Sequence, residues 1–449
     1  MRRGCRRIRL SYFIYLLLLI LLAVCVTLKI IRQQNQFTES NDRHFSVAEK
    51  FYFGKTDKQA VVSTANILDD LNVNCQAGIE DVPSFNESKI EEDILRSHDR
   101  CSYIKTAFGF RNESLIVEER DFPLAYGILA YRDFVQFTFM LSAFYEPQNS
   151  YCLALSISAD PIFAMLANEL PRCFDNIHII AVEYAKFEII RAVHTCLASL
   201  DQQKHDWKYY QYLSGNDLPL RTNFEMVRIM KELQGAPISE ISNFQKWRLM
   251  WRKMEESPLP LFKSSMSALI PREAAHIIAT HPRVMSLLRF LQKTDVPDES
   301  FWTTVLGAPE LGFEKSWNAS AIVQFRQERN GMGLLNAPSR CTRSPCYGGH
   351  DQIARFQIWN RFGCLGSWVH TSCSFGIGNL HGLLSSPHLI AHKFHIKQHP
   401  AVFFCLLKEL DMRRKHRDDA FDYSQYSKIP EVELANGVTL NKLTYPLWI

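Results

Sequence analysis

Phe122-Pro123-Leu124-Ala125-Tyr126-Gly127-Ile128-Leu129-Ala130-Tyr131 is an uncharged, almost wholly apolar run, and it reads as a buried strand. The stretch after it changes period. Arg132 to Phe144 places Phe134, Phe137, Met140 and Leu141 at helical spacing. Ser150 to Ser156 is a second strand, Pro161 to Leu170 a helix, and Asn176 to Ile180 a third strand. Lys186 to Leu200 is again helical, and Trp207 to Leu213 again a strand. Strands and helices alternating in this way predict an α/β fold, with a mostly parallel sheet and helices on both faces. Ligands of such sheets bind beyond the carboxyl ends of the strands. No G-x-G-x-x-G and no P-loop opens any of these helices, so an ordinary dinucleotide or NTP site is not supported.

Toward the N-terminus, Arg2, Arg3, Arg6, Arg7 and Arg9 precede an uncharged apolar run from Leu10 to Leu28. That run is about the length needed to cross a bilayer. The heavier positive flank is N-terminal, which keeps the tail in the cytosol and sends the rest of the chain into the lumen. A cleaved signal peptide is the rival reading. Ala23-Val24-Cys25 is a poor cleavage site, so a retained signal anchor is expected. Residues 32–75 are polar, with no sustained period, and read as a stem.

Two further features fit a secretory compartment. Asn86, Asn112 and Asn318 each open an Asn-x-Ser glycosylation acceptor. Beyond the anchor stand Cys75, Cys101, Cys152, Cys173, Cys196, Cys341, Cys346, Cys364, Cys373 and Cys405. An even set in an oxidising lumen predicts disulfides, and no C-x-x-C suggests a zinc ribbon or redox motif. With 51 Lys and Arg against 47 Asp and Glu, the net charge of +4 owes part to the cytosolic arginines. The lumenal part is near neutral, which argues against a nucleic-acid partner.

Val296-Pro297-Asp298-Glu299-Ser300-Phe301-Trp302 reads as a helix start at the rim of a core, with Phe301 and Trp302 facing inward. A carboxylate fixed there could take a proton from a bound substrate. Asp298 is expected to cap the helix instead.

The segment Tyr209-Tyr210-Gln211-Tyr212-Leu213-Ser214-Gly215-Asn216-Asp217-Leu218-Pro219-Leu220-Arg221-Thr222-Asn223 is specific. A strand ends, turns through Gly215-Asn216-Asp217, and restarts as a helix after Thr222-Asn223. It resembles the core-2/I-branching β-1,6-N-acetylglucosaminyltransferases, glycosyltransferase family 14. Matching pieces follow in order: Gln148 to Cys152, Cys173 to Asn176, Pro297-Asp298-Glu299, Ala354-Arg355-Phe356 with Trp359, Phe375-Gly376-x-Gly378, and His388-Leu389-x-Ala391-x-Lys393-Phe394. The resemblance spans about Phe122 to Leu410.

The resemblance implies a GT-A-like, Rossmann-type sheet that binds a nucleotide sugar, stapled by Cys75–Cys405, Cys101–Cys173, Cys152–Cys196 and Cys364–Cys373. The family's unpaired cysteine falls at Ser214. Cys341 and Cys346, outside the pattern, suggest a local loop-closing bond. The implied organisation is a cytosolic tail (1–9), a signal-anchor helix (10–31), and a stem with an N-terminal extension (32–119). A lumenal catalytic domain (120–415) and a C-terminal extension (416–449) complete it. The implied protein is a single-pass type II Golgi membrane protein.

The implied reaction is inverting transfer of N-acetylglucosamine from UDP-N-acetylglucosamine, in β-1,6 linkage, to a mucin-type core-1 O-glycan on a protein. Glu299 matches the catalytic base and Lys393 the lysine on the diphosphate. The second basic diphosphate ligand falls at His370, and an imidazole is charged only in mild acid. Tyr131 and Ser156 stand at donor positions, in place of a His and an Asp, and Asn379 replaces another Asp. Trp359 matches an acceptor-binding tryptophan, and Arg361 stands where the family has a Tyr. Glu240 matches an acceptor-binding acid. Lys246, with Arg248 two residues on, falls between Ile238 and Met254, where the register is open. No Asp-x-Asp occurs, in keeping with a family that works without a divalent metal or other cofactor. Alternatives are a relative using glucose, xylose or another acceptor, or a catalytically silent sugar-binding protein.

His388, His392, His395 and His399 fall at i, i+4, i+7 and i+11 between Pro387 and Pro400, the spacing of one helix face. Such a face could bind zinc, but real sites draw ligands from separate elements. A partly buried polar helix face beside Lys393 is the expectation.

Overall fold

The computed structural model describes residues 65–75, 82, 85–114, 116–183, 187–331, 352–359, 363–416 and 421–445. The apolar run Leu10–Leu28, the pair Cys341 and Cys346, and Arg361 lie outside the described residues. Among the described residues no helix is long and apolar enough to cross a membrane.

Four strands form the parallel heart of the molecule: β1 Leu124–Ala130, β2 Ser150–Ser156, β3 Ile177–Val182 and β4 Tyr209–Ser214. The chain then adds β5 Asp217–Pro219, β6 Ile238–Ser239, β7 Ser242–Asn243, β8 Phe262–Lys263 and β9 Ala268–Pro271. Later come β10 Phe356–Gln357, β11 Ser367–Val369, β12 Ser372–Ser374 and β13 Ile390–His392. The central sheet runs β3-β2-β1-β4-β9-β6, with β9 and then β6 turning antiparallel. The expected α/β fold with a mostly parallel sheet is the fold observed.

Alternation along the strands explains why both faces are covered. Leu124, Tyr126 and Ile128 of β1, with Tyr151, Leu153 and Leu155 of β2, enter one core. Helices Phe134–Phe144 and Pro400–Lys415 close that core. Ala125, Leu129, Cys152, Ala154, Tyr210 and Tyr212 enter the other, beneath helix Glu188–Gln202. A strand with period 2 that is apolar at every position must be sandwiched in this way. Gly127 is required on the second face. A Cβ there would lie 2.1 Å from the Tyr210 hydroxyl, which donates to the Val193 carbonyl.

The expected pairings Cys75–Cys405, Cys101–Cys173, Cys152–Cys196 and Cys364–Cys373 are all present. Cys152–Cys196 ties β2 to its covering helix, and Cys364–Cys373 closes the β11–β12 hairpin at its base. The helix after Thr222 also forms. Thr222 and Glu225 make a reciprocal capping box at its N-terminus.

The histidine face does not form. Ile390–His392 is a strand, β13, between parallel β10 and antiparallel β5, and no helix runs from Pro387 to Pro400. A buried central position between two strands overrides a helical spacing that rests on histidines alone. The four rings go to separate partners. His388 meets the Ser386 hydroxyl, His392 Asp217, His395 the Ser374 hydroxyl, and His399 the Ser367 hydroxyl.

Candidate active site

Pro297–Ser300 is one turn of 3-10 helix, followed by the short helix Trp302–Leu306. Phe301 and Trp302 are buried, as their apolar bulk requires. Asp298 caps neither turn, contrary to expectation: Val296, in the left-handed region at φ 47°, starts the segment without a side-chain cap. The Asp298 side chain turns into the protein. Burial pushes its carboxyl up to about 6, with the neighbouring Glu299 charge adding to the rise.

Glu299 points the other way, with its side chain 24% exposed against 4% for its partner Arg248. Arg248 Nη2 donates to Glu299 Oε2 at 2.5 Å. The same guanidinium donates to Gln245 Oε1 at 2.7 Å and to the Val296 carbonyl at 3.2 Å. Its own carbonyl accepts from Asp295 N–H at 2.8 Å. Arg248 is therefore locked to the backbone of Asp295 and Val296, immediately before the 297–300 turn. The planar fork of Arg suits this multi-point grip. Oε2 is held, while Oε1 has no bonded partner among the described residues.

The Glu299 carbonyl accepts from Ser264 N–H at 2.8 Å, which ties the turn to the end of β8. The preceding residue, Lys263, donates to Glu240 Oε1 at 2.7 Å. Glu240 follows β6, and its carbonyl accepts from the Thr303 hydroxyl. Glu240 and Glu299 are thus carried by elements that bond to one another. Lys246 is exposed, and the arginine two residues later is the one that reaches Glu299. Sequence reasoning left the choice between Lys246 and Arg248 open and did not single out Lys263.

Lys393 directly follows β13, and its side chain is largely buried. Nζ donates to the Val369 carbonyl at 2.6 Å. Burial, and then the charge of Arg132, lower its pKa below the usual lysine range. Its backbone is fixed from two directions. Phe375 N–H donates to the Lys393 carbonyl at 3.0 Å. Phe394 is clamped to the Gly215–Asn216 turn, through Phe394 N–H to Asn216 O at 2.9 Å and Asn216 Nδ2 to Phe394 O at 3.0 Å. Buried Gln136 joins the same turn, donating to both Gly215 O and Phe394 O.

His370 and Thr371 form the two-residue tip of the β11–β12 hairpin, with φ 48° and 65°. Two consecutive left-handed residues suit a twisted hairpin, but such sites favour Asn and Gly, and a β-branched Thr there is strained. His370 is exposed, one residue from the carbonyl that Lys393 holds. Trp359 bridges to Ser372 of the same hairpin and leaves its ring 53% exposed. The structure therefore gathers Lys393, His370 and Trp359 around one hairpin.

Beneath them Asp217, fully buried, accepts from Ser214 N–H, Arg355 Nη2 and His392 Nδ1 at 2.7, 2.7 and 2.8 Å. Those partners, Arg355 foremost, hold its carboxyl below the usual range against the opposing effect of burial.

Tyr131 follows β1 and Ser156 ends β2, so both stand at the carboxyl edge of the parallel strands. The Ser156 hydroxyl is engaged with that of Ser158 at 2.9 Å. Arg132, beside Tyr131 and 4.9 Å from its ring centroid, is exposed and near enough to depress Lys393. Sequence reading passed over it as the first residue of a helix. Asn379 has a structural task, accepting from Leu365 N–H and donating to the Gly363 carbonyl. The acceptor asparagines Asn86, Asn112 and Asn318 are all exposed.

The Core-2/I-Branching enzyme family matches residues 124–329. An Ovis aries protein, "Beta-1,3-galactosyl-O-glycosyl-glycoprotein beta-1,6-N-acetylglucosaminyltransferase 3", is 27% identical over 68% of this chain and 71% of its own. A Mus musculus relative of the same name but numbered 4 is 25% identical over 77% of this chain and 80% of its own. A Homo sapiens relative of the same activity is 26% identical over 71% of this chain and 77% of its own. These matches, beside a parallel-rich α/β fold and its four disulfides, support the core-2/I-branching family for this chain and make it a glycosyltransferase.

Proposed function

We propose that this glycosyltransferase moves N-acetylglucosamine from UDP-N-acetylglucosamine to the C6 hydroxyl of a core-1 O-glycan, with Glu299 as base. The observation that carries the reading is the Glu299 carboxylate, held through one oxygen by a buried Arg248 and open at the other. The relatives' names supply the linkage and the acceptor class, a β-1,3-galactosyl-O-glycosyl-glycoprotein.

In this reading Glu299 Oε1 takes the proton of the acceptor hydroxyl as its oxygen attacks C1 of the donor sugar. The bond from C1 to the diphosphate oxygen breaks, and the electron pair leaves on UDP. Attack opposite the leaving group converts an α-linked donor into a β-linked product. Lys393 then moves its ammonium from the Val369 carbonyl to the diphosphate, and Arg132 is the second cation. Trp359 offers an open ring face to the acceptor sugar. Glu240 orients an acceptor hydroxyl. No divalent metal is needed for charge neutralisation that side-chain cations supply. The Arg-flanked run at the N-terminus anchors the chain as a type II protein of the Golgi membrane.

The test is transfer by the purified full-length chain, with UDP-N-acetylglucosamine, UDP-glucose and UDP-xylose as donors and a core-1 disaccharide glycoside as acceptor. N-acetylglucosamine transfer that is lost in Glu299→Gln and persists in EDTA is expected. Full activity of Glu299→Gln would sink the assignment.

A further inference from the structure

A cavity of about 450 Å³ has walls that include Arg252, Glu256, Ser286, Arg289, Phe290 and Lys293. We infer that this cavity binds an anionic sugar, bearing a carboxylate or a sulfate, carried by the acceptor glycan. The inference rests on the reading of the chain as an O-glycan-modifying transferase.

Charge is the first argument. Arg252 is neutralised within the cavity, since its Nη1 donates to Glu256 Oε2 at 2.6 Å. Arg289 donates only to the Ser286 hydroxyl, at 3.0 Å. Lys293 has no carboxylate partner among the described residues. Two cations without counter-charges therefore face one concave volume. A concave wall of one sign concentrates the opposite charge more than a flat surface does.

Shape and position are the second. The Arg252 guanidinium lies between two rings, 4.8 Å from the Phe290 centroid and 5.9 Å from that of Trp251. Trp251, next to Arg252 in the chain, is 69% exposed, and an open indole face suits the C–H surface of a sugar. Both walls lead back to Glu299. Arg252 follows Arg248 by one turn, with its N–H on the Leu249 carbonyl at 2.8 Å. Lys293 comes two residues before Asp295, whose N–H donates to the Arg248 carbonyl. An acceptor that presents its hydroxyl to Glu299 can extend along this turn into the cavity.

The experiment is equilibrium binding by isothermal calorimetry, with the full-length chain in detergent and UDP present. The probes are the neutral core-1 disaccharide, its 3-O-sialylated form and its 3-O-sulfated form. At least one anionic probe is expected to bind about tenfold more tightly than the neutral one in low salt, with the advantage shrinking as salt rises. The double variant Arg289→Gln/Lys293→Gln, at two exposed positions, is expected to bring the difference within about twofold and leave the neutral probe's affinity unchanged. A preference for one probe identifies the carboxylate or the sulfate as the ligand. Equal affinity for all three probes, or an equal loss for all three in the double variant, overturns the inference. Because binding is read without turnover, an absence of transfer would instead overturn the proposed activity.

Discussion

Arg248 and Glu299 are 51 residues apart in sequence and meet through a 2.5 Å contact between a buried guanidinium and a partly exposed carboxylate. The buried partner is the one with extra bonds, to Gln245 and Val296, so the arginine is the fixed point and the carboxylate the group it aims. The adjacent acid, Asp298, faces the interior and has lost the exposure that proton exchange with an acceptor needs.

Two neighbouring substitutions separate these roles. Glu299→Gln keeps the shape and removes the base, so transfer should fall by about 10³-fold or more while UDP still protects against thermal unfolding. Asp298→Asn should retain transfer within about tenfold. Initial rates with a core-1 acceptor, alongside thermal shifts with UDP, check both.

Arg248→Ala should act through position. Freed from Arg248, Glu299 samples other rotamers, and a displacement of about 1 Å can cost about 10²-fold in rate. The fall should appear in kcat more than in the donor KM. Loss of the charged bonds to Gln245 and Val296 should destabilise the chain by about 2 kcal/mol. An unchanged kcat would remove Arg248 from the site.

The parallel half of the sheet was legible because its strands are predominantly apolar and separated by helical spacing. Boundaries shifted by a residue or two, as at Phe122–Tyr131 against the observed Leu124–Ala130. β13 was not legible. Three residues carry no period, and four histidines at helical intervals imitated a helix that two neighbouring strands exclude. Glu299, Lys393 and Trp359 stood out through motif resemblance, since each lies in a short matching string. Arg248's role did not, because only the folded chain brings residue 248 to residue 299. Arg132 escaped for a similar reason: its proximity to Lys393 depends on β1 ending beside β13's exit.

On the donor side, three substitutions form a graded series. Lys393→Ala should lower kcat/KM by about 10²-fold or more, as expected for a group that meets developing charge. Arg132→Ala, at an exposed site, should raise the donor KM only severalfold. His370→Arg adds a permanent cation at a hairpin tip, at some extra backbone cost because His adopts the left-handed region more readily than Arg. It should lower the donor KM. Steady-state kinetics with varied UDP-N-acetylglucosamine would read all three, and no change in any of them would place the diphosphate elsewhere.

Cys152–Cys196 closes a separation of 44 residues between β2 and the helix that covers it. The chain-entropy relation gives about 4 kcal/mol for a loop of that size. Cys152→Ala/Cys196→Ala, both at fully buried positions, should therefore lower the melting temperature clearly at constant pH. The loss should be smaller, about 2.6 kcal/mol by the same relation, for removal of Cys364–Cys373, which spans only 9 residues. Calorimetry of the two double variants, compared with the parent chain, checks the ranking.

Asp298 gives the chain a predictable pH dependence. Its folded pKa of about 6 stands above the ordinary value of 3.8, because burial penalises the charged form. Above pH 6 the carboxylate is ionised both folded and unfolded, and the folded state bears the whole desolvation penalty. As the pH falls from 6 toward 3.8 the folded state binds its proton first, and this contribution to stability grows. A shift of about two units corresponds to about 3 kcal/mol at most. Asp298→Asn, which cannot ionise, should melt higher than the parent at pH 7.5. That gain should shrink as the pH falls through 6 and vanish near pH 4. A difference in melting temperature that does not vary between pH 7.5 and 4 would show that Asp298 ionises normally in the folded chain.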